Sequence, residues 1–185
     1  NSLHFINGSW NWNGKLFGLA CGVILYFLFR RQFADNNFFT LKQNKEGLRS
    51  ALKVAIGLLS VYVLAGLLGE KEFDAETLLF QISMPGLDEE VMCRGVLLGL
   101  MCSTLREGGK PSLNPAIIIN GIWFGMVHSL SFQSGEVVFS VASFIVTGMV
   151  GYALAYIALR SRSILIPMLT HNLCNFCNNL LSMIL

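Results

Sequence analysis

Charged residues are scarce in this chain, and their scarcity excludes an ordinary soluble domain. Only 13% of the 185 residues are charged, whereas a soluble domain carries roughly 25%. Neither sign dominates, with 13 lysines and arginines against 11 acids, so the charge balance gives no reason to expect a nucleic-acid partner. Hydrophobic residues make up 54% of the chain, and we expect no removable signal peptide. The composition therefore predicts an integral membrane protein in contact with the lipid bilayer.

Apolar stretches recur along the sequence, separated by short polar segments. A helix needs about 20 mostly apolar residues to cross the hydrocarbon core of a bilayer. Five stretches approach this length, and a shorter sixth follows tryptophans of the kind found at membrane interfaces. In chain order the six stretches are residues 16–29, 48–68, 77–101, 115–132, 137–159 and 164–185. We therefore predict an all-α fold, a polytopic transmembrane helix bundle of about six spans.

Basic residues follow the first, third and fifth predicted spans, and this pattern indicates an orientation. The basic residues are Arg30, Arg31, Lys42, Lys45, Arg49, Arg106, Lys110, Arg160 and Arg162. The loop after the second span is mainly acidic, and the loop after the fourth span carries a single glutamate. Because positively charged loops remain on the cytoplasmic side, six spans would place both termini outside.

Three consecutive acids interrupt the third stretch, where an unpaired carboxylate is costly. Glu90 and Arg94 are four residues apart with the acid first, the favourable order for an ion pair on a helix. We interpret this pair as structural. We interpret Asp88 as a helix cap after the Pro-Gly pair at 85–86. Glu89 points about 100° away from Glu90 on a helix, so it cannot share Arg94 equally well. It is therefore the acid whose presence has no local structural reason.

Polar side chains recur at helical spacing in two later stretches. Asn120, Phe124 and His128 recur every fourth residue, and His171 and Asn175 are also four residues apart. Each set therefore shares one helix face. A single histidine or asparagine within a span is also common as a polar contact between helices. A free glutamate and two histidines on three separate spans, however, are the groups that move protons at neutral pH.

These residue types favour a hydrolase that activates water without a covalent intermediate. Glu89 and His128 would activate the water, while His171 and Asn175 could donate hydrogen bonds to an oxyanion. Ser129 adjoins His128 but lies on another face of its helix, and serine catalysis would leave Glu89 unused. The HExxH pattern of zinc protease helices is absent from the sequence.

Three motifs, in order along the chain, resemble those of a known family. EEVMCR at 89–94, FGMVH at 124–128 and HNLCN at 171–175 match the patterns EExxxR, FxxxH and HxxxN/D. These patterns belong to the CAAX protease and bacteriocin-processing family (CPBP, or Abi) of intramembrane proteases. The resemblance covers about residues 77–185 and implies a catalytic helical core with its site in a cavity among the core helices. Residues 1–76 are N-terminal membrane segments without a family signature.

The resemblance also implies a role for each motif residue. It makes Glu89 the catalytic glutamate, which activates water together with His128. It assigns His171 and Asn175 to oxyanion stabilisation. The motif positions interpreted as structural support are Glu90, Arg94 and Phe124.

Zinc is the alternative that these residues leave open. Glu89, His128 and His171 could bind the ion, with water in the remaining position. We favour a site without a cofactor, since the carboxylates that usually orient zinc-bound histidines are not evident in the sequence.

The substrate that the resemblance implies is a peptide or a protein. Some family members trim lipidated CAAX proteins, and bacterial members are associated with bacteriocin maturation or with the processing of peptide signals. The chain is short and looks more like a bacterial member of the family than a eukaryotic one. We therefore expect a multi-pass protein of a bacterial cytoplasmic membrane. A non-catalytic bacteriocin-immunity protein remains an alternative. A proton-coupled transporter is disfavoured because the sequence shows no internal repeat.

Overall fold

Helices make up most of the computed structural model, which describes residues 5–33, 35–105 and 109–185. The helices are α1 (Trp12–Phe29), α2 (Lys45–Gly66), α3 (Ala75–Glu90), α4 (Leu98–Thr104), α5 (Pro115–Ser129), α6 (Val141–Ser161) and α7 (Leu165–Ile184). A π-helical segment (Val91–Leu97) joins α3 to α4, a 3₁₀ turn (Pro111–Leu113) precedes α5, and two strands, β1 (Leu130–Gln133) and β2 (Glu136–Phe139), separate α5 from α6. Arg106, used above to predict orientation, lies outside the described residues.

Three helices in the described part of the chain are long and apolar enough to cross a membrane, namely α1, α2 and α6. They correspond to the predicted spans 16–29, 48–68 and 137–159. The prediction of six spans is not established. Helix α5 has only 15 residues, and α7 contains four asparagines that lower its hydropathy.

The third predicted span is one continuous helical rod from residue 75 to residue 104, with Pro85 inside it. Proline lacks an amide hydrogen and disturbs the hydrogen bonds of the turn around it. Asn172 of α7 supplies hydrogen bonds to the backbone of this turn. Its side-chain oxygen accepts a hydrogen bond from the Gly86 amide at 2.7 Å, and its side-chain nitrogen donates one to the Ser83 carbonyl at 3.2 Å. A side chain from a neighbouring helix thus lets α3 continue through the proline.

The acid that caps this rod is Asp74. Its carboxylate accepts hydrogen bonds from the backbone amides of Glu76 and Thr77, which have no partners within the helix. The prediction that Asp88 caps a new helix is therefore wrong. Asp88 lies within α3 and forms an ion pair with Lys15 at 3.1 Å.

The π-helical segment directly follows the three acids. Segments of this kind are rare in helices and are frequent at functional sites. Asn120 of α5 donates a hydrogen bond to the Cys93 carbonyl within the segment at 2.8 Å. Asn120 is fully buried, so this member of the α5 polar face joins two helices instead of facing a cavity.

Glycines bring α5 and α6 into close contact. A Cβ atom on Gly125 would lie 2.7 Å from the Phe144 carbonyl oxygen, and one on Gly121 would lie 3.0 Å from the Gly148 carbonyl oxygen. Two glycines four residues apart form the small-residue pattern that allows helix backbones to approach each other. This contact is the most extensive between described helices, and it fixes the orientation of α5 in the bundle.

A β-hairpin replaces parts of two predicted spans. Strands β1 and β2 pair in antiparallel register from Leu130↔Phe139 to Gln133↔Glu136. Ser134 and Gly135 adopt positive φ angles of 52° and 89°, as a tight two-residue hairpin turn requires. The predictions that helices extend to residue 132 and begin at residue 137 are therefore wrong, and the fold is helical with one hairpin.

Two of the segments that carry basic residues, the loop after α1 and the turn between α6 and α7, are in contact. The Asn44 amide donates to the Ser161 carbonyl at 2.8 Å, and Arg162 donates to the Asn36 side chain at 3.0 Å. These contacts join the loop after α1 to the turn between α6 and α7. The orientation inferred from the basic residues stays a prediction.

Candidate active site

One cavity of about 450 Å³ collects side chains from α1, α2, α3, α5, α6 and α7. The predicted catalytic residues Glu89, His128, His171 and Asn175 all line it. The complete lining consists of Trp10, Asn11, Lys15, Tyr62, Phe80, Gln81, Pro85, Glu89, Phe124, His128, Thr147, Val150, His171 and Asn175. The structure therefore brings together four residues that lie on three separate helices.

Glu89 and His128 face each other across this cavity. The distance from Glu89 Oε2 to His128 Nε2 is 3.5 Å, which is longer than a normal hydrogen bond. The other ring nitrogen, Nδ1, lies 2.8 Å from the Phe124 carbonyl oxygen. Because a carbonyl only accepts, Nδ1 carries the proton and Nε2 is an acceptor when the ring is neutral. Glu89 Oε2 itself accepts no hydrogen bond from the described residues.

Glu90 and Arg94 form the helical ion pair that the spacing predicted. Both side chains are fully buried, and Arg94 Nη1 lies 2.8 Å from Glu90 Oε1. The second terminal nitrogen, Nη2, donates to the Gly151 carbonyl of α6 at 2.9 Å. The pair therefore links the rod that contains α3 to α6 in addition to neutralising two buried charges.

Glu90 has a second partner that the sequence did not indicate. Its Oε1 atom lies 2.9 Å from His171 Nδ1, so the carboxylate holds the ring of this cavity histidine in place. An orienting carboxylate, which was not evident in the sequence, is thus present for His171. No spacing pattern in the sequence could indicate this contact, because Glu90 and His171 lie 81 residues apart.

Phe124 connects the buried arginine to both histidines. The Arg94 guanidinium carbon lies 4.5 Å from the centre of the Phe124 ring, within range of a cation–π interaction. The same ring lies 4.2 Å from the His128 ring and 6.1 Å, edge to face, from the His171 ring. The Glu90–Arg94 pair thus supports His171 directly and His128 through Phe124.

Ser129 does not take part in this arrangement. It is almost completely buried, and its hydroxyl donates to the Met126 carbonyl of its own helix at 2.9 Å. It is not among the residues that line the cavity. The geometry thus gives no support to a serine nucleophile beside His128.

Lys15 is the charged cavity residue that sequence reasoning missed. Its ammonium nitrogen lies 2.5 Å from Glu89 Oε1 and 3.1 Å from Asp88 Oδ2. Glu89, the acid without a local structural reason, therefore has a partner that is distant in sequence. The available signal was one cation near the start of an apolar helix, but no spacing rule links residue 15 to residue 89.

The segment before α1 is attached to the start of α3 beside the cavity. Glu76 accepts hydrogen bonds from the Trp12 indole at 2.9 Å, from the Ser9 amide at 3.1 Å and from the Ser9 hydroxyl at 3.0 Å. These hydrogen bonds lower the pKa of Glu76 to about 2, and the bond from Trp12 makes the largest contribution. Trp10 stacks on Phe80 with the ring centres 4.8 Å apart. We refer to residues Ser9–Trp12 bound to Glu76 as the N-terminal clamp.

The possible zinc ligands Glu89, His128 and His171 line the same cavity. Within residues 5–33, 35–105 and 109–185, no three histidine, cysteine or acidic side chains are grouped so that they could hold a metal ion. The Nδ1 atom of His171 faces Glu90, so only its Nε2 atom could face an ion.

Comparison with known proteins gives one match. A family model described as type II CAAX prenyl endopeptidase Rce1-like matches residues 72–177, which is more than half of the chain and includes all three motifs. No curated protein and no solved structure matches the chain significantly. The description indicates a protease, and with three apolar helices it indicates a membrane protein. On this match, and in agreement with the three motifs, the chain belongs to the Rce1-like family of type II CAAX prenyl endopeptidases.

Proposed function

We propose that this protein is an intramembrane endopeptidase in which Glu89 activates water to hydrolyse a peptide bond. The observation that carries the proposal is the 3.5 Å approach of Glu89 Oε2 to His128 Nε2. When His128 is neutral, both atoms are acceptors, and a water molecule beside them can donate one hydrogen to each. The water is then oriented with its lone pairs away from both acceptors, toward a substrate carbonyl.

The proposed reaction proceeds through a tetrahedral intermediate. The water oxygen bonds to the carbonyl carbon, and one water proton moves to Glu89 Oε2. The carbonyl oxygen becomes an oxyanion. The carbon–nitrogen bond then breaks, and Glu89 returns the proton to the leaving nitrogen. No covalent bond to the protein forms.

The oxyanion is stabilised by His171 and Asn175 in this proposal. Glu90 accepts a hydrogen bond from His171 Nδ1, which leaves Nε2 for the substrate. The ring donates from Nε2 when both nitrogens are protonated, and the Asn175 amide nitrogen is the second donor. The contact with Glu90 supports this role because it fixes the ring before the substrate binds.

The substrate that we propose is a prenylated peptide that ends in a CAAX sequence. The description of the matched family supports this class, and the apolar helices around the cavity are suited to a lipidated chain. We also propose a multi-pass arrangement in the membrane, with the basic loops on the cytoplasmic side.

The test is cleavage of a farnesylated CAAX peptide by the purified protein in detergent, in water enriched in ¹⁸O. Mass spectrometry should find one cleaved bond and one ¹⁸O atom in the new carboxylate after a single turnover. The same peptide without the farnesyl group is the control, and it should be cleaved more slowly. A folded wild-type protein that binds the farnesylated peptide but leaves it intact would contradict the proposal and would favour a non-catalytic role.

A further inference from the structure

Lys15 lies outside the residues that match the family, yet it contacts the proposed base directly. We propose that Lys15 is a positioning residue that holds the Glu89 carboxylate in its reactive orientation. This inference rests on the proposed function of Glu89. It assigns to the N-terminal helix a part in the reaction that the three family motifs do not contain.

The two oxygens of Glu89 have different partners. Lys15 Nζ lies 2.5 Å from Oε1, whereas Oε2 faces His128 Nε2 at 3.5 Å. A charge-assisted hydrogen bond to one oxygen is strong enough to restrict rotation of the carboxylate. Fixing Oε1 on Lys15 therefore keeps Oε2 directed at His128, where the proposed water binds.

Lys15 also compensates for two neighbouring negative charges. Asp88 and Glu89 are adjacent in the sequence, and the ammonium group contacts both. Their side chains are only 16% and 19% exposed, and that of Lys15 is 21% exposed, so water screens the two carboxylates incompletely. Among the described residues that line the cavity, Lys15 is also the only lysine or arginine. Without it, the two carboxylates would repel each other, and Glu89 would lose its fixed position.

The close packing of α1 against α3 supports the contact of Lys15 with both acids. Gly18 and Gly22 lie three and seven residues after Lys15, on the same helix face. A Cβ atom on Gly18 would collide with the Asp88 carboxylate, and one on Gly22 would lie 2.9 Å from Val91 Cγ1. The absence of side chains at these two positions lets α1 approach the rod closely enough for Lys15 to reach both acids.

The experiment compares kcat and KM of the full chain with a farnesylated CAAX peptide. Lys15→Met should lower kcat by about 10²-fold, the loss typical of a small misplacement of a reacting group, while KM should change little. Lys15→Arg should restore most of kcat, because arginine also donates to both carboxylates. Lys53→Met is the matched control, since Lys53 is exposed on α2 and is not among the residues that line the cavity. It should leave both constants unchanged.

A thermal unfolding midpoint for each variant separates positioning from folding. The inference requires that kcat falls in Lys15→Met protein that is folded at the assay temperature. It is overturned if the wild type is active and Lys15→Met retains or increases kcat, or if Lys15→Arg is as impaired as Lys15→Met. A folded wild type without activity would overturn the proposed function itself, so the two failures are distinguishable.

Discussion

Replacement of Arg94 by methionine should destabilise the protein more than replacement of the half-buried Arg160 by methionine. Methionine is an unbranched apolar side chain that fills part of the same space but removes the charge, the 2.8 Å ion pair with Glu90 and the 2.9 Å hydrogen bond to the Gly151 carbonyl. Both members of the pair are fully buried. The variant therefore leaves Glu90 as a buried carboxylate whose remaining partner is His171.

The expected loss follows from the burial of this pair. Removing one partner of a buried ion pair costs about 3–5 kcal/mol, because the other charge remains without compensation. For a chain of this size, 1 kcal/mol corresponds to a shift of about 2–4 °C in Tm. We therefore expect Tm to fall by roughly 6–20 °C. The double variant Glu90→Gln with Arg94→Met should recover part of this loss, because the stranded carboxylate is gone.

Thermal unfolding in one detergent measures this difference, and Arg160→Met is the matched control. Arg160 is half-buried and donates one hydrogen bond, at 2.8 Å, to the Ser50 hydroxyl, so its replacement should cost about 1.5–3 kcal/mol or less. The reasoning is refuted if Arg94→Met and Arg160→Met lower Tm equally. It is also refuted if the double variant is less stable than Arg94→Met alone.

Three further predictions address other parts of the structure. Gly125→Ala should lower stability by about 1–3 kcal/mol through overpacking. The control is Gly57→Ala, which should be neutral or stabilising because a Cβ at Gly57 would meet nothing within 4 Å. Equal Tm values for the two variants would contradict the close α5–α6 contact. The pKa of Glu76 is lowered to about 2 from 4.5, so the stability contributed by the N-terminal clamp is present above pH 4.5 and is lost as the pH falls toward 2. At neutral pH, Glu76→Ala should shift tryptophan emission to longer wavelength, and Glu72→Ala should not. In the proposed mechanism Glu89 activates water without a metal, so chelators should leave activity unchanged, and stoichiometric zinc in the purified protein would contradict that mechanism.

The individual motifs could be predicted because each lies within one helix. A spacing of four residues places Glu90 beside Arg94 and His171 beside Asn175, and the structure has both arrangements. The apolar stretches likewise indicated where the helices lie. Spacing alone could not show that Glu89 and His128 meet, because that contact depends on how α3 and α5 pack.

The features that could not be predicted depend on contacts distant in sequence. Lys15 and Glu89 are 74 residues apart, and no periodic pattern connects them. The path of α3 through Pro85 depends on Asn172 of another helix, so the Pro-Gly pair alone could not show that the helix continues past it. The hairpin had a local signal in its Ser-Gly turn, but apolar residues in both strands made the region resemble the ends of two spans.

The most direct test of the account is kcat of Glu89→Gln. Glutamine keeps the shape of the side chain but cannot accept the water proton, so kcat should fall by at least about 10²–10⁴-fold, the contribution of acid–base catalysis. Tm should not fall substantially, because a half-buried charge is removed and Lys15 retains Asp88 as a partner. Glu72→Gln is the control and should retain wild-type kcat. A Glu89→Gln protein with wild-type kcat would contradict the account. So would a Glu89→Gln protein that unfolds while Arg94→Met stays stable and inactive, because Glu90 with Arg94 would then be the catalytic pair.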